Sequence, residues 1–474
     1  MEQIGKNTEI TQSGQAIRIN LSAFSGLNAL FSSSLGPAST TKMLINSAGI
    51  KVLRDGRSIL DSVMFTHPVT TIINKAAVQS HDLLGDGVCT FVVFASLVFQ
   101  NAFAQIASGQ NVLKVNERIL KDLNLLTEIM GAQKVALAEE DLSKLLFYVL
   151  NTKMGRDAAH HFTQIVLNAY RPNLQMVEIL KMDGDLADSA AIDGLVLDHA
   201  GRHPMMPREV LKACILICNI SLEYEKPEIN TSLHFKSAAE RESFVAGERA
   251  ILNRKIDRIL ELKSAVESAG KKLVLMTERG IDLPALDRLQ GMLCLRRVKR
   301  RNLERLLRLC GGRLVSAADD VRMECLGYAG SILVKEYKDK AYTYVTKAPY
   351  TGCSTIVIHG TNSYEMERVQ IALKSALKMV ELVKSAPFYV KGGPMNYKRW
   401  SEQLSAVNKG RTAVSEALYQ LYNTIRADDE DVMDCFVGLS RTLFNAGMVS
   451  STLLMVDEII RAGKSVKEEK NEQS

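Results

Sequence analysis

Residues 82–99 read Asp82-Leu-Leu-Gly-Asp-Gly-Val-Cys-Thr-Phe-Val-Val-Phe-Ala-Ser-Leu-Val-Phe99, a glycine turn followed by a long apolar run. The twelve residues after Gly85-Asp86-Gly87 are apolar apart from Thr90 and Ser96. Glycines permit positive φ and a close approach to a ligand, and a helix that begins directly after them points free N–H groups at an anion. The pattern predicts a phosphate site in which Asp86 holds Mg²⁺. The alternative is a tight turn before a core helix, which an isolated Gly-Asp-Gly favours.

Composition indicates an ordinary soluble protein with a large core. The chain has 474 residues, of which 46% are hydrophobic and 24% charged. A net charge of +6, from 59 basic and 53 acidic residues, does not by itself imply nucleic acid or a membrane as partner. The eight cysteines form no CxxC pair and are interpreted as buried thiols in a reducing compartment. The polar amino terminus lacks a secretory apolar segment, and we expect a cytoplasmic protein.

Hydrophobic periodicity divides the chain into helical ends and a mixed middle. Helices are predicted near 16–35, 70–84, 88–107, 112–130 and 141–170, with a hairpin over 43–60 that turns at Asp55-Gly56. Strands near 194–197, 213–219, 273–276 and 292–295 alternate with helices, and a strand and a helix follow at 353–360 and 363–384. We therefore expect a helical base built from both termini, an inserted α/β middle, and a disordered polar tail over 464–474.

Two charged helices stand out in the middle. One begins at Ser237 with Glu240 three residues on, a capping box, and carries only a narrow apolar face, so it is predicted to project into solvent. The other runs from Lys299 to Cys310 and places a basic patch beside its leucines. The patch could meet acidic peptide or nucleic acid, but without interleaved aromatic residues a solvated helix face is favoured. The patch comprises Arg296, Arg297, Lys299, Arg300, Arg301, Arg305 and Arg308.

Several separate motifs, in order along nearly the whole chain, resemble group II chaperonins. Those from the two ends are Leu35-Gly36-Pro37, Lys42-Met43-Leu44, Asp55-Gly56, His67-Pro68, Gly85-Asp86-Gly87 and Val456-Asp457-Glu458-Ile459-Ile460-Arg461-Ala462-Gly463. Four motifs from the middle resemble one subunit type of the eukaryotic cytosolic chaperonin TRiC/CCT. They are Gly194 to His199, Cys218 to Lys226, Lys236 to Glu242 and Arg296 to Gly312.

The resemblance implies a multidomain α+β chaperonin subunit. A mainly helical equatorial ATP-binding domain would span 1–130 and 387–474, and a small α/β intermediate hinge domain 131–192 and 353–386. An α/β apical substrate-binding domain would span 193–352, with a helical protrusion near 222–263. Seven other subunit types would join it in a double eight-membered ring that encloses unfolded polypeptides, including actin and tubulin, without nucleic acid or membrane partners.

The resemblance also implies site residues. ATP and Mg²⁺ would bind with Asp86 as the metal ligand and Asp55 as a catalytic residue. Arg297, Arg301, Arg305 and Arg308 would contact substrate polypeptides, which reverses the preference for a solvated face. The remaining nucleotide-binding positions are Leu35, Gly36, Pro37, Gly85, Gly87, Val88, Cys89, Thr90, Gly392 and Gly393.

The chain departs from the family at several of these positions. Val88 and Cys89 replace two hydroxyl residues, Ala38-Ser39 replaces Lys-Gly, and Pro394 replaces a glycine. Ser375 occupies the position of the acid that activates water, and the segment after Gly393 is shorter and is expected to lack the acid that reads the adenosine. We therefore expect weak ATP binding and slow or absent hydrolysis. A non-hydrolysing structural ring component and a free-standing apical-domain adaptor are the alternatives to a working ATPase subunit.

Overall fold

A computed structural model of the protein describes residues 9–11, 14–46, 49–224, 237–338, 340–425 and 432–461. The chain divides into two compact units, residues 1–164 with 367–474 and residues 165–366. Both ends of the chain therefore belong to one unit, here called the first unit. The finer division into three domains with the bounds given above stays a prediction, and the tail over 464–474 lies outside the described residues.

The helices and strands follow one another in the order that the periodicity indicated. The helices are α1 (Gln15–Phe31), α2 (Gly56–Ser62), α3 (Pro68–Leu84), α4 (Val88–Ala107), α5 (Val112–Ala132), α6 (Asp141–Met154), α7 (Arg156–Ala169), α8 (Ala238–Ser268), α9 (Leu283–Arg288), α10 (Arg300–Cys310), α11 (Ser363–Ser385), α12 (Pro394–Val407), α13 (Ala413–Thr424) and α14 (Phe436–Leu454). The strands are β1 (Glu9–Thr11), β2 (Lys42–Asn46), β3 (Gly49–Leu53), β4 (Val135–Ala136), β5 (Val177–Asp183), β6 (Ala190–Ile192), β7 (Gly194–Leu197), β8 (Glu209–Cys218), β9 (Lys272–Thr277), β10 (Leu293–Leu295), β11 (Gly327–Tyr337), β12 (Lys340–Thr346), β13 (Ser354–Gly360), β14 (Phe388–Lys391), β15 (Met433–Cys435) and β16 (Ile459–Arg461).

Helix α4 is the centre of the first unit. It is apolar around its whole circumference, and every residue from Phe91 to Phe99 is buried, as expected for a core helix. Helices α1, α13 and α14 pack around it, and the rings of Phe24 and Phe99 stack with centroids 4.2 Å apart. By length and composition alone α4 could also cross a membrane, a test that buried core helices pass as well.

Short antiparallel sheets complete the first unit. β2 pairs with β3, β14 lies between β15 and β4, and β1 pairs with β16, which joins the two ends of the chain. The predicted turn at Asp55-Gly56 is wrong, because Asp55 caps α2 through a hydrogen bond that its carboxylate accepts from the Ser58 amide at 3.2 Å. The predicted helix over 141–170 is interrupted at Gly155, whose φ of +94° suits glycine.

The second unit is an α/β body. A six-stranded sheet has the order β10-β9-β8-β11-β12-β7, with parallel pairing from β10 to β8 and antiparallel pairing beyond it. A smaller sheet has the order β5-β13-β6. Strand β8 carries a continuous buried run from Ala213 to Cys218, because both faces of this strand are covered.

Helix α8 begins as predicted, since the Ser237 hydroxyl accepts a hydrogen bond from the Glu240 amide at 3.2 Å. Residues 237–251 are exposed along their whole length. From Leu252 to Val266 one face of the helix is buried against the rest of the second unit. The expectation of a solvent-projecting helix therefore holds for its first half only. Residues 225–236 of the predicted protrusion lie outside the described part of the chain.

Candidate functional site

One cleft in the first unit gathers most of the predicted nucleotide-binding positions. It is lined by Leu35, Gly36, Pro37, Asp55, Asp86, Gly87, Val88, Cys89, Thr90 and Gly393. Gly85, Gly392 and Ser375 are not part of its wall. The cleft encloses about 890 Å³, counting the part that is open to solvent. Segments from both ends of the chain thus meet around a single concave site.

The Gly85-Asp86-Gly87 turn joins α3 to α4 in a conformation that requires glycine. Gly85 and Gly87 have φ values of +83° and +92°. A Cβ on Gly87 would lie 2.8 Å from Oγ1 of Thr442 on α14, so the turn is also packed tightly. Because α4 begins at Val88, the amides of Val88, Cys89 and Thr90 have no partner within the helix and can meet an anion.

A second turn on the cleft, Leu35-Gly36-Pro37, is held in place by polar contacts. Gly36, at a φ of +76°, lies in the Leu35-Gly36-Pro37 wall of the cleft. Arg54 donates to the Pro37 carbonyl at 2.7 Å and to the Ser39 hydroxyl at 2.8 Å, and Ser39 donates to the Thr152 carbonyl at 3.2 Å. Arg54 therefore supplies positive charge to the cleft and shapes the turn that encloses it.

The charged centre of the cleft is an ion-pair triad of Asp55, Asp86 and Lys153. The Lys153 Nζ lies 2.9 Å from Asp55 Oδ1 and 2.8 Å from Asp86 Oδ1. The side chain of Lys153 is 6% exposed and that of Asp86 33%. Burial alone would raise the pKa of Asp55, but Lys153 outweighs it and holds that pKa below its usual value. Burial alone would lower the pKa of Lys153, but the two carboxylates raise it, so Asp55 and Lys153 are both charged at neutral pH.

Lys153 was missed by the sequence analysis, although a signal was present. In α6 the buried positions Leu142, Leu146 and Leu150 form one stripe, and Lys153 continues it. A lysine on the apolar face of a helix is almost never fully buried unless it is paired. Its position therefore pointed to carboxylate partners, but not to which ones.

The shortened carboxy-terminal segment was expected to lack the acid that reads the adenosine, but it does place one acid on the cleft. Asp434 lies on the cleft with Tyr397, because β15 pairs with β14 and sets Asp434 opposite Val390. Burial raises the pKa of Asp434 to about 6, and the charge on Asp86 adds to that effect. Gly392 packs directly on this side chain, since a Cβ there would lie 2.6 Å from Asp434 Oδ2.

Ser375 lies behind the cleft rather than in it. It is 2% exposed, and its hydroxyl is 3.2 Å from Nε2 of His81 on α3. A Cβ on Gly85 would lie 3.0 Å from the Ser375 carbonyl oxygen, so this part of α11 supports the glycine turn. Its role as the replacement of a general base stays a prediction.

The predicted substrate-contacting arginines belong to the second unit and differ in exposure. Arg297 and Arg308 are exposed, and Arg301 is 60% exposed while donating to Glu178 at 2.9 Å. Arg305 is 6% exposed, pairs with Glu178 and donates to the Gln175 carbonyl at 2.8 Å. Arg305 is thus a buried structural residue, and the prediction that it contacts substrate is wrong because its guanidinium is already bound inside the unit.

The charges in the cleft fit a nucleotide accompanied by a cation. The carboxylates of Asp55, Asp86 and Asp434 outnumber the cations of Arg54 and Lys153, so bare polyphosphate would be repelled. Among the described residues no group of three or more His, Cys, Asp or Glu side chains could hold a metal ion alone. Mg²⁺ is commonly held by one or two carboxylates together with phosphate oxygens. Asp86, partly exposed in the cleft, is suited to that kind of site.

Comparisons with known proteins agree with one another. The sequence matches the TCP-1/cpn60 chaperonin family over residues 27–424. It is also 30% identical to the human protein T-complex protein 1 subunit zeta-2 over 530 aligned residues, which cover 98% of this chain and 99% of that protein.

Proposed function

Because the chain belongs to the TCP-1/cpn60 chaperonin family, we propose that it is a subunit of a cytoplasmic group II chaperonin ring that folds other proteins with ATP. The predicted family and the multidomain α+β class are confirmed, and the subunit type that the middle motifs resemble is the zeta type of the human relative. The observation that carries the proposal is the cleft itself. Segments more than 300 residues apart, from Leu35 to Asp434, meet there around charged groups suited to a phosphate-bearing ligand.

In this proposal the triphosphate of ATP lies against the start of α4. The free amides of Val88, Cys89 and Thr90 face its oxygens, and Lys153 and Arg54 supply positive charge. Asp86 would hold Mg²⁺, which neutralises charge on the phosphates when it is bound. Asp434 and Tyr397, which also line the cleft, are available to the sugar and base.

Binding would be weak. Val88 and Cys89 provide no hydroxyl at positions where the family has them, and each hydrogen bond lost to a charged phosphate costs about 1.5–3 kcal/mol. Burial raises the pKa of the Cys89 thiol to about 12, so it offers no thiolate in place of the missing hydroxyl.

Hydrolysis would be slow or absent. Ser375 stands where the family has an acid, and loss of a general base typically costs about 10²- to 10⁴-fold in rate. The burial of Ser375 away from the cleft supports a subunit that follows its ring neighbours' conformational changes rather than driving its own. A non-hydrolysing ring component is therefore the second candidate.

The substrate-binding role belongs to the exposed arginines of the second unit. Arg297, Arg301 and Arg308 would contact acidic or polar segments of unfolded polypeptides, actin and tubulin among them. Arg305 is left out of this set because it is buried with Glu178. Seven other subunit types in a double eight-membered ring are the proposed partners.

Purification from the native source tests the assembly. A large particle that contains this chain together with related subunits supports the ring, whereas a single migrating chain of about 52 kDa supports a free-standing adaptor. Trapping of nucleotide with a phosphate analogue, measured subunit by subunit, then separates a hydrolysing from a non-hydrolysing chain. Accumulation of hydrolysed nucleotide here at the rate of the neighbours would contradict the role assigned to Ser375.

A further inference from the structure

The two carboxylates of the cleft share one ammonium group, but they hold it differently. Asp55 is buried and its Oδ2 also accepts a hydrogen bond from the Ser58 amide at 3.2 Å, so helix α2 fixes it in place. Asp86 is 33% exposed and lies in a glycine turn. Among the described residues its carboxylate accepts a hydrogen bond from Lys153 alone. Of the two ion pairs, the one with Asp86 is the easier to exchange.

We propose that Lys153 is an exchangeable internal cation: its ammonium occupies the Asp86 carboxylate until Mg²⁺ arrives with a nucleotide, then leaves Asp86 and keeps its contact with Asp55. This inference rests on the proposed nucleotide-binding function and deepens it. Its direct consequence is that the free protein binds divalent metal poorly, because a lysine of the chain already fills the metal's place.

Lys153 and Mg²⁺ would compete for the same carboxylate. Lys153 Nζ lies 2.8 Å from Asp86 Oδ1, and carboxylate oxygens are the protein ligands that Mg²⁺ would take at such a site. Two cations on the same carboxylate at such short range repel each other strongly in a partly buried site. The Asp86 carboxylate therefore cannot hold Lys153 and Mg²⁺ together at close range, and one of the two cations must move away.

The chain gives Lys153 room to move without losing every partner. Lys153 lies in the last turn of α6, and Gly155, at a φ of +94°, ends that helix. A lysine has a flexible four-carbon stem and a compact charge. After it leaves Asp86 the ammonium remains paired with Asp55, and the phosphate groups of the nucleotide would supply a second anionic partner, so the buried charge is never left uncompensated.

The test is a titration of the full-length chain with Mn²⁺ as the probe, followed by the electron paramagnetic resonance signal of free Mn²⁺, with no nucleotide present. We expect Lys153→Met to bind Mn²⁺ at least tenfold more tightly than wild type, because both carboxylates lose their internal cation. The control is Lys144→Met, which removes an exposed lysine from the same helix and should bind Mn²⁺ as wild type does. Equal Mn²⁺ affinity of wild type and Lys153→Met would overturn the inference.

A second variant keeps the test decisive if Lys153→Met fails to fold. Lys153→Gln removes the charge but retains a hydrogen-bond donor for Asp55, and the same tenfold gain is expected. Since the titration contains no nucleotide, its result stands apart from the proposed function. Failure to bind an ATP analogue with Mg²⁺ would refute the nucleotide site, whereas failure of the Mn²⁺ gain would refute only the exchange at Asp86.

Discussion

Asp55 and Lys153 form an ion pair of 2.9 Å although 98 residues separate them in the sequence. The carboxylate comes from the cap of α2 and the ammonium from the last turn of α6, so the contact fixes two distant segments around the same cleft. Both side chains are buried. The pair is thus part of the structure of the first unit as well as of its candidate site.

Removal of Lys153 should destabilise the first unit. Lys153→Ala leaves Asp55 buried without its counter-ion, and breaking such a pair by deleting one partner costs about 3–5 kcal/mol. Urea denaturation followed by circular dichroism measures the change. Lys144→Ala is the control, since its exposed ion pair with Asp141 should contribute less than about 1 kcal/mol. Similar losses of stability for the two variants would show that the buried triad contributes no more than an exposed ion pair does.

The Gly85-Asp86-Gly87 turn should reject any side chain at Gly87. In Gly87→Ala the residue is forced to keep a φ of +92°, which costs about 1–2 kcal/mol, and its Cβ would lie 2.8 Å from Oγ1 of Thr442. Thr442→Ala removes that oxygen, so the double variant should recover the steric part of the loss but not the conformational part. Thermal unfolding of the two single variants and the double variant measures the coupling.

Gly26→Ala is the matched control for that cycle. Gly26 lies in α1, and a Cβ there would meet nothing within 4 Å. Replacing a helical glycine by alanine should stabilise the helix by up to about 1 kcal/mol. If Gly87→Ala behaved like Gly26→Ala, the turn would be less constrained than its geometry indicates.

Asp434 should make stability depend on mildly acidic pH. Its pKa is raised to about 6 by burial, so the folded protein holds this proton in a range where the unfolded chain has lost it. Stability contributed by the protonated group is then present at low pH, falls as pH rises from about 4 to about 6, and stays level above that window. Urea midpoints measured across this range for wild type and Asp434→Asn should differ in slope, with the variant flatter. Parallel curves would be inconsistent with a raised pKa of Asp434.

The arginines of α10 should separate into a structural and a surface class. Arg305→Ala leaves Glu178 buried with one partner fewer and should cost about 3–5 kcal/mol of stability. Arg308→Ala should change stability by no more than about 0.5 kcal/mol because the side chain is exposed, but it should weaken binding of an acidic unfolded peptide. Denaturation and fluorescence anisotropy measure the two effects. A stable Arg305→Ala protein with lost peptide binding would reverse the assignment.

Local sequence patterns predicted the elements of this fold well but not the contacts between distant elements. The glycine turn, α4 and the Ser237 cap depend on neighbouring residues, so each was predictable from the sequence. Lys153 and Asp434 reach the cleft only through tertiary packing and the β14–β15 pairing, which periodicity does not reveal. Arg305 was misjudged for the same reason, since its partner Glu178 is 127 residues away.

A density map of the purified native particle with ATP and Mg²⁺ would show whether this chain is a nucleotide-binding subunit of a ring. We expect this chain to be one subunit of a double ring, with nucleotide density between the start of α4 and Asp434 and the metal beside Asp86. A chain found outside any ring, or a ring in which this cleft stays empty at saturating ATP while neighbouring subunits are filled, would contradict it.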